Sequence, residues 1–119
     1  MSQAPHESLF AYKRAREAVR SLLQVSDALP PRRGDLRDQI DRASFSILLN
    51  LAEGAAEIRK AEKARFYRMS RRSAAECLAA LDIVEMLGMQ LPAIVTARTT
   101  LNEVIVLTTL LIGAVDARK

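Results

Sequence analysis

Between Arg59 and Arg72 the chain sets seven bases, Arg59, Lys60, Lys63, Arg65, Arg68, Arg71 and Arg72, against one acid, Glu62. On a helix, Arg65, Arg68 and Arg72 at i, i+3 and i+7 share one face, turned away from Phe66 and Met69. Like charges at that spacing repel by about a few tenths of a kcal/mol per pair. A polyanion laid along the row relieves the repulsion and releases its own counterions. The chemistry expected is phosphate binding, and arginine, which supplies fourteen of the 18 bases, has the planar fork for it. A solvated face is the other expectation, its charges paired with acids such as Glu76, or with Glu53 and Glu57 of a neighbouring copy. Tyr67 alone in this stretch could stack on a base, so sequence-specific reading of a single strand is not expected.

Little else in the chain suggests chemistry. Asn50 lies within the most apolar helical stretch. Its amide is expected to be satisfied by nearby backbone or by Ser44 and Ser46, fixing helix register, with a ligand-binding role as the alternative. Arg42 and Glu53 belong to the same stretch and are expected to pair between helices or between copies. Cys77 reads as a small core residue with no base beside it to activate its thiol. One cysteine makes no internal disulfide and too few ligands for a cysteine zinc site, which suits a reducing, intracellular compartment. His6 has no triad partner, and the Glu-x-x-His pairs of a di-metal bundle are missing from the sequence. No enzyme, cofactor or metal is expected. Arg33-Gly34-Asp35 spells an adhesion tripeptide, but a turn followed by an N-cap at Asp35 explains it.

The elements that must position these residues are helices. The chain has 119 residues, half of them hydrophobic, with no Trp, few Gly or Pro, and a modest net charge of +4. That composition predicts one domain, residues 1–119, of closely packed helices, with residues 1–6 flexible. Periodicity predicts a first helix over 7–29 with Ala15, Val19, Leu22, Ser26 and Leu29 inward. Pro30 and Pro31 stop it. The second covers 36–53, with one stripe at Leu36, Ile40, Ala43, Ile47 and Leu51 and another at Phe45, Leu48, Leu49 and Ala52; Gly54 fits its stop, though residues 55–60 could continue as helix. The third runs over 61–87, with Phe66, Met69, Ser73, Cys77, Ala80, Val84 and Leu87 aligned, and Gly88 closes it. Pro92 opens the fourth, which continues to about residue 117 with Leu101, Val104 or Ile105, Thr108, Leu111 or Ile112, and Val115 inward. An all-α, antiparallel, up-down-up-down four-helix bundle is expected. Apolar residues beyond one stripe on helices two and four predict self-association. The apolar run Val104–Val115 is too short to span a membrane and reads as a core helix. Residues 1–7 show no basic region leading into an apolar one, so a cytoplasmic protein is expected.

Gln39-Ile40-Asp41-Arg42-Ala43, then Ser46-Ile47, then Asn50-Leu51-Ala52-Glu53-Gly54 resembles the signature of a bacterial four-helix-bundle family. That family comprises proteins encoded by intervening sequences in large-subunit ribosomal RNA genes, with many free-standing relatives. It includes the accessory variability proteins of diversity-generating retroelements. The likeness continues through Arg65-Phe66, Ser73-Ala74-Ala75-Glu76 and Leu87-Gly88, and weakly at Leu29-Pro30, covering about residues 9–88 with no strong motif in helix four. Leu48 stands where the family often has Pro, Arg72 replaces a common Gly, and Leu78 a common acid.

The resemblance implies a homopentameric ring with no known catalytic activity, in which Arg42, Ser46, Asn50, Glu53 and Gly54 form a structural motif. For retroelement members it further implies a basic surface that binds nucleic acid and a partner reverse transcriptase. Two functions follow as expectations. One is a non-specific DNA- or RNA-binding or scaffold module using Arg59, Lys60, Lys63, Arg65, Arg68, Arg71 and Arg72. The other is a protein-interaction ring docking an acidic partner without touching nucleic acid.

Overall fold

Proline and glycine divide the chain where their backbones require it. The computed structural model describes residues 5–117, and among them there are four long helices and no strand. Helix α1 is Phe10–Ala28, α2 Gly34–Ala56, α3 Lys60–Met86 and α4 Pro92–Asp116. Short 3-10 turns, Pro5–Ser8 and Pro31–Arg33, precede α1 and α2. Of the segment expected to be flexible, residues 1–4 lie outside the described residues. Pro5 and His6 belong to the first turn, and the His6 ring sits 4.6 Å from that of Tyr12. Gly88 takes φ +88°, a conformation costly for any side chain, and ends α3 as expected.

Helix α1 packs on α2 and α4, and α3 packs on the same two, so α1 and α3 are diagonal, as are α2 and α4. The molecule measures 49 × 30 × 22 Å. The predicted stripe of α1 is buried from Ala15 to Leu29, and in α4 the core takes Leu101, Val104, Thr108, Ile112 and Val115. In α2 the first stripe, Leu36 to Leu51, is buried, but Phe45 and Leu49 of the second are 47% and 65% exposed. Helix α4 is long and apolar enough to cross a membrane by length and composition. Its inner stripe is core, yet Val106 and Leu110 are 59% and 64% exposed, so it is more than the core helix expected.

Two local expectations are corrected and one open choice is decided. Helix α2 begins at Gly34, with Arg33 at the N-cap position and no side-chain cap, so Asp35 lies inside the first turn. Of the two readings at Gly54, a stop or a continuation, the structure takes the continuation, and α2 runs on to Ala56. In α3, Phe66 and Met69 are only half-buried and Leu87 is exposed, while Ala64, Tyr67, Ser70, Ala74 and Leu81 fill the core. Helix α3 must face both α2 and α4, so its buried surface is wider than one stripe and centred elsewhere.

Candidate nucleic-acid interface

The outer surface of α3 is set by what its inner surface must bury. With Tyr67, Ser70, Ala74 and Cys77 inward, the helical repeat turns Arg65, Arg68 and Arg72 outward, and all three are exposed. Arg72 pairs with no acid among the described residues; the expected bond to Glu76 is not formed. Arg65 forks onto Glu62 at 2.9 and 3.0 Å, and its guanidinium lies 4.8 Å from the Phe66 ring and 3.2 Å from Met69 Sδ. The row is therefore not turned away from Phe66 and Met69, since Arg65 leans over both. That bond holds the Glu62 carboxyl below the ordinary glutamate range and raises Arg65 above its usual value. Arg68 reaches Asp116 of α4 at 3.5 Å.

Of the remaining bases of the stretch, Lys63 and Arg71 do not join this face. Lys63 turns back and donates from Nζ to the carbonyl oxygens of Gly54 and Ala55 at 2.6 and 3.1 Å, closing the C-terminal end of α2. Arg71 is half-buried against α4 and donates to Thr109 Oγ1 at 3.1 Å. Arg59 pairs with Glu57, whose carboxyl is pulled down first by the backbone N–H of Arg59 and then by its side chain. Lys60 is exposed at the start of α3. Tyr67 is 3% exposed and cannot stack on a base. The interface is thus a row of three arginines, with Arg59 and Lys60 at one end.

The α2 motif is structural. Asn50 Nδ2 donates to the Ser46 carbonyl and to Ser46 Oγ, both at 2.9 Å, and Ser46 Oγ lies 2.8 Å from Ser73 Oγ on α3. Ser70 Oγ donates to the Ile47 carbonyl at 2.8 Å. These bonds satisfy the polar atoms between two close helices and fix their register. Arg42 and Glu53 are both exposed; Arg42 donates to Gln39 at 3.5 Å, and the two do not pair within the chain.

That α2–α3 seam follows the motif Ser46…Asn50-Leu51-Ala52-Glu53-Gly54, and comparison of the chain with known families agrees. Residues 7–110 match the 23S rRNA-intervening sequence protein family. The chain belongs to that family. The match extends beyond the motif-bearing residues 9–88 and takes in most of α4. No curated protein matches the chain closely enough to count as a relative.

Two features of this intervening-sequence family member escape the sequence reading. Arg37, at the end of the first turn of α2, donates to the carbonyls of Leu29 (2.7 Å), Pro30 (3.3 Å) and Ser26 (3.3 Å), gathering the end of α1. The sequence carries no distinct signal for that role, because Arg32 and Arg33 stand nearer the Pro-Pro stop. The second is a row on α1, Lys13, Arg16 and Arg20, all exposed at the same i, i+3, i+7 spacing as the α3 arginines. Its signal was present in the sequence, but the denser Arg59–Arg72 cluster overshadowed it. Among the described residues, no three of His, Cys, Asp and Glu converge as metal ligands. Cys77 is buried, and burial pushes its thiol up to about 12.

Proposed function

We propose that this protein is a non-enzymatic module that holds DNA or RNA non-specifically through its phosphates, using the outward arginines of α3. In this proposal its copies are antiparallel, up-down-up-down bundles assembled into a cytoplasmic homopentameric ring. The observation that carries it is the exposed row Arg65, Arg68, Arg72, in which Arg72 has no acid to satisfy it among the described residues. Antiparallel order is supported by Arg68, early in α3, reaching Asp116 late in α4, and by Arg98, early in α4, binding Asp82 and Glu85 late in α3. Assembly is supported by the apolar side chains left on the outer surfaces of α2 and α4.

The test combines light scattering with titration of fluorescent RNA and DNA at low and moderate salt. A species of about five chains whose affinity falls steeply with salt supports the proposal; each phosphate contact adds about 0.9 to the log–log slope on a duplex. Changing Arg68 and Arg72 to Glu should lower affinity about tenfold or more and flatten that slope. A monomer, or a ring that ignores both polymers, overturns it.

One observation favours the second function, docking of an acidic protein such as a reverse transcriptase. Beyond Arg72 the outer row of α3 continues as Ala75, Ala79, Ile83 and Met86, all exposed. Arginine beside exposed Met and Ile is a composition found in protein interfaces. Capture of acidic proteins by the parent but not by the Arg68→Glu, Arg72→Glu variant, without binding to either polymer, selects this function.

A further inference from the structure

The row on α1 faces the opposite side of the molecule from the row on α3. Lys13, Arg16 and Arg20 line one shallow groove of about 220 Å³ with Glu17. Glu17 makes no ion pair with them: Arg14 holds its carboxylate at 2.6 Å, while the rest of the Arg14 guanidinium forks onto Glu103 at 2.6 and 2.9 Å. Hydrogen bonding to Glu103 raises Arg14 above its usual value; the triad sets two carboxylates on one guanidinium, so it leaves one negative charge beside the three positive charges of the row. No acid pairs with Lys13, Arg16 or Arg20 among the described residues. The row ends two turns further on at Asp27, also exposed.

We infer that each subunit has two phosphate-binding faces, Lys13–Arg16–Arg20 on α1 and Arg65–Arg68–Arg72 on α3, and that the protein bridges two nucleic-acid duplexes. The inference rests on the function proposed above. Its geometry comes from the diagonal placement of α1 and α3 across a body whose shorter dimensions are 30 and 22 Å. A duplex is stiff over about 150 base pairs and cannot fold around a body of that width to reach both sides. Two duplexes must therefore occupy the two faces. Because α1 and α3 carry the charge, the apolar outer surfaces of α2 and α4 remain available for contact between copies, and neither basic face needs to be covered on assembly.

A bead-capture experiment tests this. One duplex is tethered, the full-length protein is added at low salt, and retention of a second, fluorescent duplex is read, with DNA and RNA duplexes in separate arms. The parent should retain the second duplex. Lys13→Glu with Arg16→Glu and Arg20→Glu should bind the tethered duplex through α3 but retain at least tenfold less of the second. Arg68→Glu with Arg72→Glu should still bind through α1, with the lower affinity expected above, and should not bridge. All five positions are exposed, and helical circular dichroism confirms that each variant is folded. Undiminished bridging by the α1 variant overturns the inference and leaves the proposed function standing. Binding lost entirely in the α1 variant and unchanged in the α3 variant overturns the assignment of the α3 face, and with it both the bridging and the interface proposed above. A parent that binds no duplex overturns the proposed function as well.

Discussion

Gly54 of α2 lies against the edge of the Tyr67 ring of α3, so close that a Cβ at Gly54 would stand 2.6 Å from Tyr67 Cε1 and 2.7 Å from Cδ1. Alanine is the better helix former by about 0.5–1 kcal/mol. The clash with a buried ring outweighs that gain, since overpacking a tight site costs about 1–3 kcal/mol. Gly54→Ala is expected to lower stability by about 1–2 kcal/mol in urea unfolding. In a Tyr67→Ala background the same change should cost much less, and a double-mutant cycle reads that coupling.

Lys63 is expected to behave as a cap and not as a phosphate ligand. Lys63→Met removes the donor to the Gly54 and Ala55 carbonyls and should cost about 1–2 kcal/mol. Its effect on nucleic-acid affinity should be far smaller than that of Arg72→Glu. An equal loss of affinity in the two variants would place Lys63 in the interface after all.

Acid should loosen the α2–α3 junction. Glu57 and Glu62 are both held below the ordinary glutamate value, chiefly by hydrogen bonds from Arg59 and Arg65 respectively. A carboxylate depressed by folding stabilises above its unfolded pKa, and the contribution is lost as pH falls through the folded value. Stability should be level above about pH 5 and decline below about pH 4. Replacing both residues by Gln should flatten the urea midpoints across that range, and added salt should shrink the effect because both carboxyls remain near solvent.

Cys77 is expected to be inert in the folded protein. With its thiol pushed up to about 12 by burial, almost no thiolate exists at neutral pH, and the thiolate is the reactive form. A thiol reagent should label it only as fast as the chain unfolds, so labelling should speed up as urea is added. Cys77→Ser should cost about 1–3 kcal/mol by burying a hydroxyl in an apolar site.

If the outer surfaces of α2 and α4 join copies, charge placed there should dissociate the assembly without unfolding the subunit. Leu49→Lys and Leu110→Lys both change exposed positions, where substitution costs a monomer less than about 0.5 kcal/mol. Light scattering should read a smaller species for either variant, with unchanged helical circular dichroism. Unchanged mass in both would remove α2 and α4 from the contact.

The legible parts of the fold were those where one helix face meets the core. In α1, steps of three and four from Ala15 to Leu29 marked the buried residues because that helix carries one clear apolar stripe; in α4 the same steps marked Leu101, Thr108 and Val115 but left Val104 or Ile105 and Leu111 or Ile112 open, because the helix is apolar on its outer side too. Helix α3 was harder. Phe66 and Met69 drew the stripe towards themselves by size, whereas the space between α2 and α4 is filled by Ala64, Ser70, Ala74 and a single large ring, Tyr67. Small residues signal close approach, which a hydrophobic pattern does not weigh. The start of α2 was misread and its end left open for a related reason. Asp35 and Gly54 are common helix-end residues, but here Arg37 and Lys63 supply the end contacts from a distance, and Gly54 serves Tyr67. The charged row of α3 was visible from spacing alone. Which of its seven bases were spent on carbonyls, acids and Thr109 depended on contacts made across the fold.

The diagonal placement of α2 and α4 has a consequence for symmetry. Suppose a copy covers its α2 surface with the α2 surface of another; both α4 surfaces are then left bare, and the pair is unfinished. Suppose instead that α2 of one copy meets α4 of the next. Every addition then repeats the same rotation and again leaves one surface of each kind at the two ends. Growth of that kind stops only when the last copy meets the first, and otherwise continues as an open filament. The number of copies is then set by the angle between two helix surfaces within one subunit, and a substitution that changed how α1 or α3 spaces them would change the count.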